Sequence, residues 1–225
     1  VENFIKSLGF NTVSNKRPAW AKGKEIDIQI LDTNIAIEYN GEYWHSEESG
    51  KNSSYHYSKN ILAENAGINL IQIFESEWKN KKDIIKSIIK SKLGVTETVL
   101  QGRKTVFRKI TSKQARDFLN KNHRQGGGGV TNESYALLSD GEIVAVMSFK
   151  SERFTSKNRT ELYRYASKLD TTINGGFSKL LKNALKEING DLHQKQTIYM
   201  KKMDLNLSIY PSHANGIIKK IQLRI

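Results

Sequence analysis

A chain of 225 residues with 37% apolar content can bury a substantial core, as one large domain or two modest ones. Its 36 Lys and Arg against 23 Asp and Glu leave a net charge of +13 and a pI near 9.7, which favours a polyanionic partner, nucleic acid first. The lack of cysteine excludes disulfides and thiolate zinc sites, and no membrane-spanning run, basic amphipathic anchor or secretory signal is apparent, so a reducing cytosol is expected.

The chain opens at Val1 without an initiator methionine, and an N-terminal portion is expected to be missing or cut away. Phe4, Ile5 and Leu8 share one face of a short helix that Gly9 would stop. Glu2, in its first turn, either favours the helix N-terminus electrostatically or leans toward the hairpin that follows. Residues 17–24 form a basic loop, with Arg17, Lys22 and Lys24 suited to phosphate and Trp20 to stacking on a base. An ordinary connector is the alternative.

Apolar residues then alternate along Ile26, Ile28, Ile30 and along Ile35, Ile37, Tyr39, with Asp32-Thr33-Asn34 between them, which predicts an antiparallel hairpin. Asp27 lies off the apolar face. Glu38 and Asn40 share the same side of the partner strand, at a distance from the turn that lets Asp27 and Glu38 converge. Two carboxylates that close repel unless a cation intervenes, and a hard divalent ion with oxygen ligands, Mg²⁺, is the implied partner. The plainer alternative is a hairpin whose carboxylates face water. Gly41 ends the strand, and Tyr43-Trp44-His45 places two bulky aromatics and a titratable base where a plain loop would be small and polar.

Residues 46–59 read as an irregular loop running into a helix at about 57–66, stopped by Gly67. A strand at 68–74 and one helix at 78–93, carrying Ile84, Ile85, Ile88 and Ile89, complete the first half. The motifs Asp27, Glu38-x-Asn40-Gly41, Trp44-His45, Asn-Ile-Leu-Ala-Glu-Asn-Ala-Gly at 60–67 and Ile71-Gln72-Ile73-Phe74-Glu75 resemble the very-short-patch repair branch of the PD-(D/E)XK nucleases, phage homing endonucleases most closely. The resemblance covers about residues 1–93 and rests on several ordered motifs. It implies that Asp27 is the metal-binding aspartate, Glu38 the second acidic position, His45 the histidine assisting catalysis and Glu2 the early helical glutamate. His56 falls near a further acidic position of that branch, and Lys59 near a family lysine. Asn40 stands where many of these nucleases have lysine, which leaves Lys59 or His45 to supply the charge, or a centre that works differently.

Residues 95–103 lack periodicity and mark a linker between domains at 1–94 and 104–225. Thr111-x-x-Gln114 is a capping box for a helix to about Asn122. Four glycines, Gly126–Gly129, then read as a flexible loop, with phosphate holding by their amides the alternative. A hairpin at 135–138 and 142–149 turns at Ser139-Asp140-Gly141, a strand follows at 161–166, and Gly175-Gly176 opens a helix bearing Leu180, Leu181, Ala184, Leu185 and Ile188. The glycine turn is either an anion cradle or a tight turn and cap. The order of these elements over about residues 104–189 resembles the acetyltransferase-like GNAT fold, as appended to phage endonucleases. The resemblance places the cofactor pyrophosphate loop at Gly175-Gly176, where the fuller glycine pattern is missing, so no cofactor is assigned to the domain. Arg153, Arg159 and Arg164 are its candidate phosphate contacts.

Read one base back with A/T-rich codons, residues 197–210 give NNLYEKNGFKFKY, the pattern with which GNAT-like domains usually finish, so a frameshift near residue 189 is expected. The fold expected is α/β, a PD-(D/E)XK nuclease domain followed by a GNAT-like domain. The function expected is Mg²⁺-dependent cleavage of double-stranded DNA, with Trp44 as a wedge between base steps or a buried structural indole. A decayed nuclease that only binds DNA, and a group transferase acting through the second domain, are the alternatives.

Overall fold

The computed structural model describes residues 1–41, 53–151, 160–189, 199–200 and 219–220, with backbone alone for 53–57, 151, 189 and the last two pairs. The chain is mixed α/β and divides into two compact units, Val1–Val95 and Thr96–Ile225.

In the first unit, α1 (Glu2–Ser7) leads into β1 (Thr12–Lys16), β2 (Ile26–Ile30) and β3 (Ile35–Asn40); α2 (Ser53–Asn65) then crosses to β4 (Asn69–Phe74). The sheet order is β1-β2-β3-β4, antiparallel for the first two pairings and parallel for β3 with β4. The expected alternation governs the core: Ile28, Ile30, Ile35, Ile37, Ile71 and Ile73 join Ile5 of α1 and Ile85 and Ile89 in one buried cluster. A smaller cluster gathers Ala21, Ile26 and Ala36, with Trp20, Ile68 and Leu70 packed against it.

The single helix expected at 78–93 is two helices, α3 (Glu75–Asn80) and α4 (Lys82–Leu93). Lys81, at φ −134° and ψ 35°, leaves helical geometry between them. The first helix begins earlier than its apolar pattern because Glu77 accepts the Phe74 N–H at 3.0 Å, capping the chain as it leaves β4. Gly94, at φ 74°, ends α4 as a left-handed cap.

The stretch 95–103, expected as a linker, carries β5 (Thr98–Gln101), which pairs in parallel with β10 (Thr171–Asn174) and belongs to the second unit. The partner strand lies some seventy residues on, so no local pattern could reveal the pairing. The rest of this unit is β6 (Val106–Lys109), α5 (Ser112–Asn122), β7 (Glu133–Ser139), β8 (Glu142–Ser151), β9 (Thr160–Ser167) and α6 (Gly176–Asn189), with short strands β11 (Tyr199–Met200) and β12 (Lys219–Lys220). Its larger sheet runs β12-β11-β9-β8-β7-β6. The capping box forms, with Gln114 N–H donating to Thr111 Oγ1 at 3.2 Å and Thr111 N–H to Gln114 Oε1 at 3.0 Å. Asp140 and Gly141, at φ 50° and 81°, close the β7–β8 hairpin. Ala115 and Leu119 of α5 pack with Ala136, Val146 and Ala166. Leu180, Leu181 and Ala184 of α6 pack with Tyr135, Leu137, Met147 and Phe149. The frameshift expectation concerns residues that, beyond β11 and β12, lie outside those described.

The glycine run is held in place by packing. A Cβ on Gly127 would lie 2.7 Å from the Arg116 backbone, and one on Gly128 would collide with the Tyr163 hydroxyl. Two of the run's amides are already engaged, Gly126 N–H by His123 O and Gly127 N–H by Asn120 Oδ1, each at 2.9 Å. By contrast a Cβ on Gly129 meets only the end of Lys150, at 3.6 Å. Gly127→Ala should therefore cost about 1–3 kcal/mol in urea unfolding, while Gly129→Ala should stay within about 0.5 kcal/mol of the parent. Equal tolerance at both positions would mean that the run is a loose loop.

Candidate active site

The β2–β3 ladder pairs Gln29 with Ala36 and Ile28 with Ile37, and one further step sets Asp27 opposite Glu38. Regular pairing lapses there on both sides. Asn15 of β1, between the paired Ser14 and Lys16, takes a left-handed φ of 53°. On β3 the Tyr39 N–H donates at 2.7 Å to Asp27 Oδ2. A side chain thus satisfies a strand amide at the point where the ladder gives out.

Glu38 is 3% exposed and Lys59, from α2, is 5% exposed. The ammonium donates to Glu38 Oε2 at 2.6 Å. The other oxygen, Oε1, is buried and has no hydrogen-bond partner among the described residues. Burial pushes the Glu38 pKa up; the Lys59 hydrogen bond opposes the shift and the nearby Asp27 carboxylate adds to it. The two carboxylates expected to converge are close enough for the Asp27 charge to act on Glu38.

Asn40, also buried, donates through Nδ2 to Gln72 Oε1 at 2.7 Å, and Gln72 Nε2 donates to Asn60 Oδ1 at 3.2 Å. A chain of carboxamides thus links β3, β4 and α2. Gln72 is the register partner of Glu38 across the parallel pair. Neither Gln72 nor Asn60 stands out in the sequence; the signal was the one polar residue inside the run Ile71-Gln72-Ile73, which matters only once β4 lies beside β3.

Other expected residues are placed differently. Glu2 accepts from Thr12 Oγ1 at 2.8 Å and pairs with Lys6 at 2.9 Å, contacts that hold its carboxyl down at about 2, the Lys6 bond contributing most. Nothing among the described residues joins it to Asp27 or Glu38. Trp20, expected to stack on a base, is half-buried against the Ala21, Ile26, Ala36 cluster, its Nε1 buried without an acceptor among the described residues. Arg17 is exposed at 3.7 Å from Glu25, Lys22 is exposed, and Lys24 is half-buried. Trp44 and His45 lie outside the described residues, as do Arg153, Arg159 and the side chain of His56. Arg164 donates to the Tyr163 carbonyl at 2.7 Å and lies 4.2 Å from the centre of that ring.

The Gly175-Gly176 turn is packed against the chain's own backbone. The Gly102 backbone lies against it so closely that a Cβ there would sit 2.9 Å from Gly176 N, and Lys179 donates to the carbonyls of Gly102 and Thr105. The start of α6 packs on this turn, and the contact requires glycine at position 102.

Comparison with family models, with curated proteins and with solved structures finds no match.

A carboxyl whose pKa folding has raised contributes its stability fully below its ordinary value of 4.5 and loses it as pH rises through the native value. Lys59 restrains that loss by stabilising the ionised form. Lys59→Met should cost about 3–5 kcal/mol near neutral pH by leaving a buried carboxylate uncompensated. The deficit should shrink toward about pH 4, where Glu38 is protonated, and Lys59→Met/Glu38→Gln should recover most of it. Urea unfolding of the three proteins at both pH values checks this; a pH-independent deficit would show that Lys59 acts through packing alone.

Proposed function

We propose that the first unit is the catalytic centre of a Mg²⁺-dependent endonuclease of the PD-(D/E)XK type, very-short-patch repair-like, hydrolysing phosphodiester bonds in double-stranded DNA, and that the second is a GNAT-like accessory domain. The observation that carries this reading is the Glu38 carboxylate, buried beside Asp27 with one oxygen on Lys59 and the other without a donor among the described residues. Buried acceptors without donors are costly, and an oxygen-seeking divalent cation resolves both that cost and the repulsion between the carboxylates. The residues present fit Mg²⁺: the donors are oxygens, with no soft ligand among them. When bound, the ion supplies polarisation of the scissile phosphate and activation of water.

The chain's own residues do the rest. Asp27 and Glu38 would hold the ion, Asp27 fixed by the Tyr39 N–H and Glu38 by Lys59. Lys59 brings from α2 the ammonium that the Asn40 position lacks, so positive charge stands beside the carboxylates as negative charge gathers on the phosphate. The chain's +13 charge supports binding to a polyanion.

Supercoiled plasmid should be nicked or linearised with Mg²⁺ and not with chelator, and Asp27→Ala and Glu38→Ala should each lower the rate by about a hundredfold or more. Intact DNA binding without cutting would leave a decayed centre.

A further inference from the structure

The two carboxylates do not complete a cation site by themselves. Among the described residues no group of three or more His, Asp or Glu side chains comes together, whereas a divalent ion of this kind takes six or more oxygens, several of them from water. One more oxygen-bearing side chain leaves β3 on the same face as Glu38. Asn40 is two residues from Glu38 on β3, so both side chains leave the strand on one side. Its Nδ2 donates to Gln72 Oε1, and the next bond runs the same way, with Gln72 Nε2 donating to Asn60 Oδ1. Asn40 Oδ1 is then the carboxamide atom not engaged by Gln72. Asn40 is only 5% exposed.

The geometry points to Asn40 as a third protein ligand of the cation, through Oδ1, with Gln72 and Asn60 as positioning residues that hold its carboxamide oxygen-inward. This rests on the metal-centre reading above and alters the role of one member. A lysine on the strand would present a donor and a charge next to the ion. Here the ammonium comes from α2 and spends its bond on Glu38 Oε2, so the strand position is released for an acceptor. Side-chain oxygens of Asp27, Glu38 and Asn40 then lie on neighbouring positions of β2 and β3, and Glu38 Oε1 is buried without a hydrogen-bond partner among the described residues. A neutral carboxamide adds an oxygen without adding a third negative charge to a pair that already repels.

Titration of the full chain with Mn²⁺ by calorimetry, without DNA, tests this independently of cleavage. Asn40→Leu, close in shape but without the oxygen, should weaken Mn²⁺ binding about tenfold, and Gln72→Leu should weaken it by up to about tenfold through misorientation. Asn40→Asp, which keeps the oxygen and adds charge, should tighten it by about tenfold. If Asn40→Leu fails to fold, the Asp variant decides. Loss of binding in Asp27→Ala and Glu38→Ala, with both Asn40 variants within about twofold of the parent, would overturn the asparagine assignment and leave the metal centre standing. Absence of Mn²⁺ binding by the parent chain, or binding indifferent to Asp27→Ala and Glu38→Ala, would overturn the inference together with the reading on which it rests.

Discussion

The contact between Lys59 and Glu38 is the constraint on which the first unit turns. Taking an ammonium and a carboxylate out of water costs several kcal/mol for each ion, and only close geometry returns it. The pair meets at 2.6 Å with both side chains about 5% exposed. Among its described residues α2 buries just one apolar side chain fully, Ala63. Its seating therefore depends heavily on polar links, Lys59 to Glu38 and Asn60 to Gln72. Polar links specify a position more narrowly than greasy contact does, because a half-made pair is worse than none. The same contact that docks α2 also fixes which oxygen of Glu38 is left over.

What could be read from the chain alone followed from how local each signal was. The hairpin carrying Asp27 and Glu38 was legible because alternation with period two over Ile26–Ile30 and Ile35–Tyr39 admits one register of faces. The capping box at Thr111 and the stop at Gly94 were legible because each is complete within a few residues. The pairing of β5 with β10 was not, since neither strand carries a pattern of its own and the partner is distant. The break at Lys81 was hidden because the apolar spacing of Ile84, Ile85, Ile88 and Ile89 continues a helix whose phase says nothing about where it starts. At the site itself, residue types were legible and directions were not. The roles of Gln72 and Asn60 exist only after β3, β4 and α2 have met.

Glycine illustrates the same limit from the other side. Runs such as Gly126–Gly129 and Gly175-Gly176 suggest mobility or phosphate binding by composition, yet in the second unit they mark places where two backbones touch. Gly102 lies on the start of α6 and Gly127 lies on α5, and in both the missing Cβ is the functional property. Lys179 completes the first of these contacts by donating to two carbonyls, which commits its charge to the fold.

Placing an ammonium on a helix instead of on the strand beside the carboxylates has a consequence for how the proposed centre is assembled. A strand lysine would arrive with the sheet; Lys59 arrives only when α2 docks. Charge compensation, ligand orientation and helix docking then form one cooperative unit, because Lys59 and Asn60 are adjacent and reach Glu38 and Gln72, which face each other across β3 and β4. Without α2, Asp27 and Glu38 would stand together uncompensated in a partly closed site, a state that their mutual repulsion disfavours. The proposed cation and the helix therefore stabilise the same arrangement from opposite sides of Glu38, one through Oε1 and the other through Oε2, so neither has to displace the other.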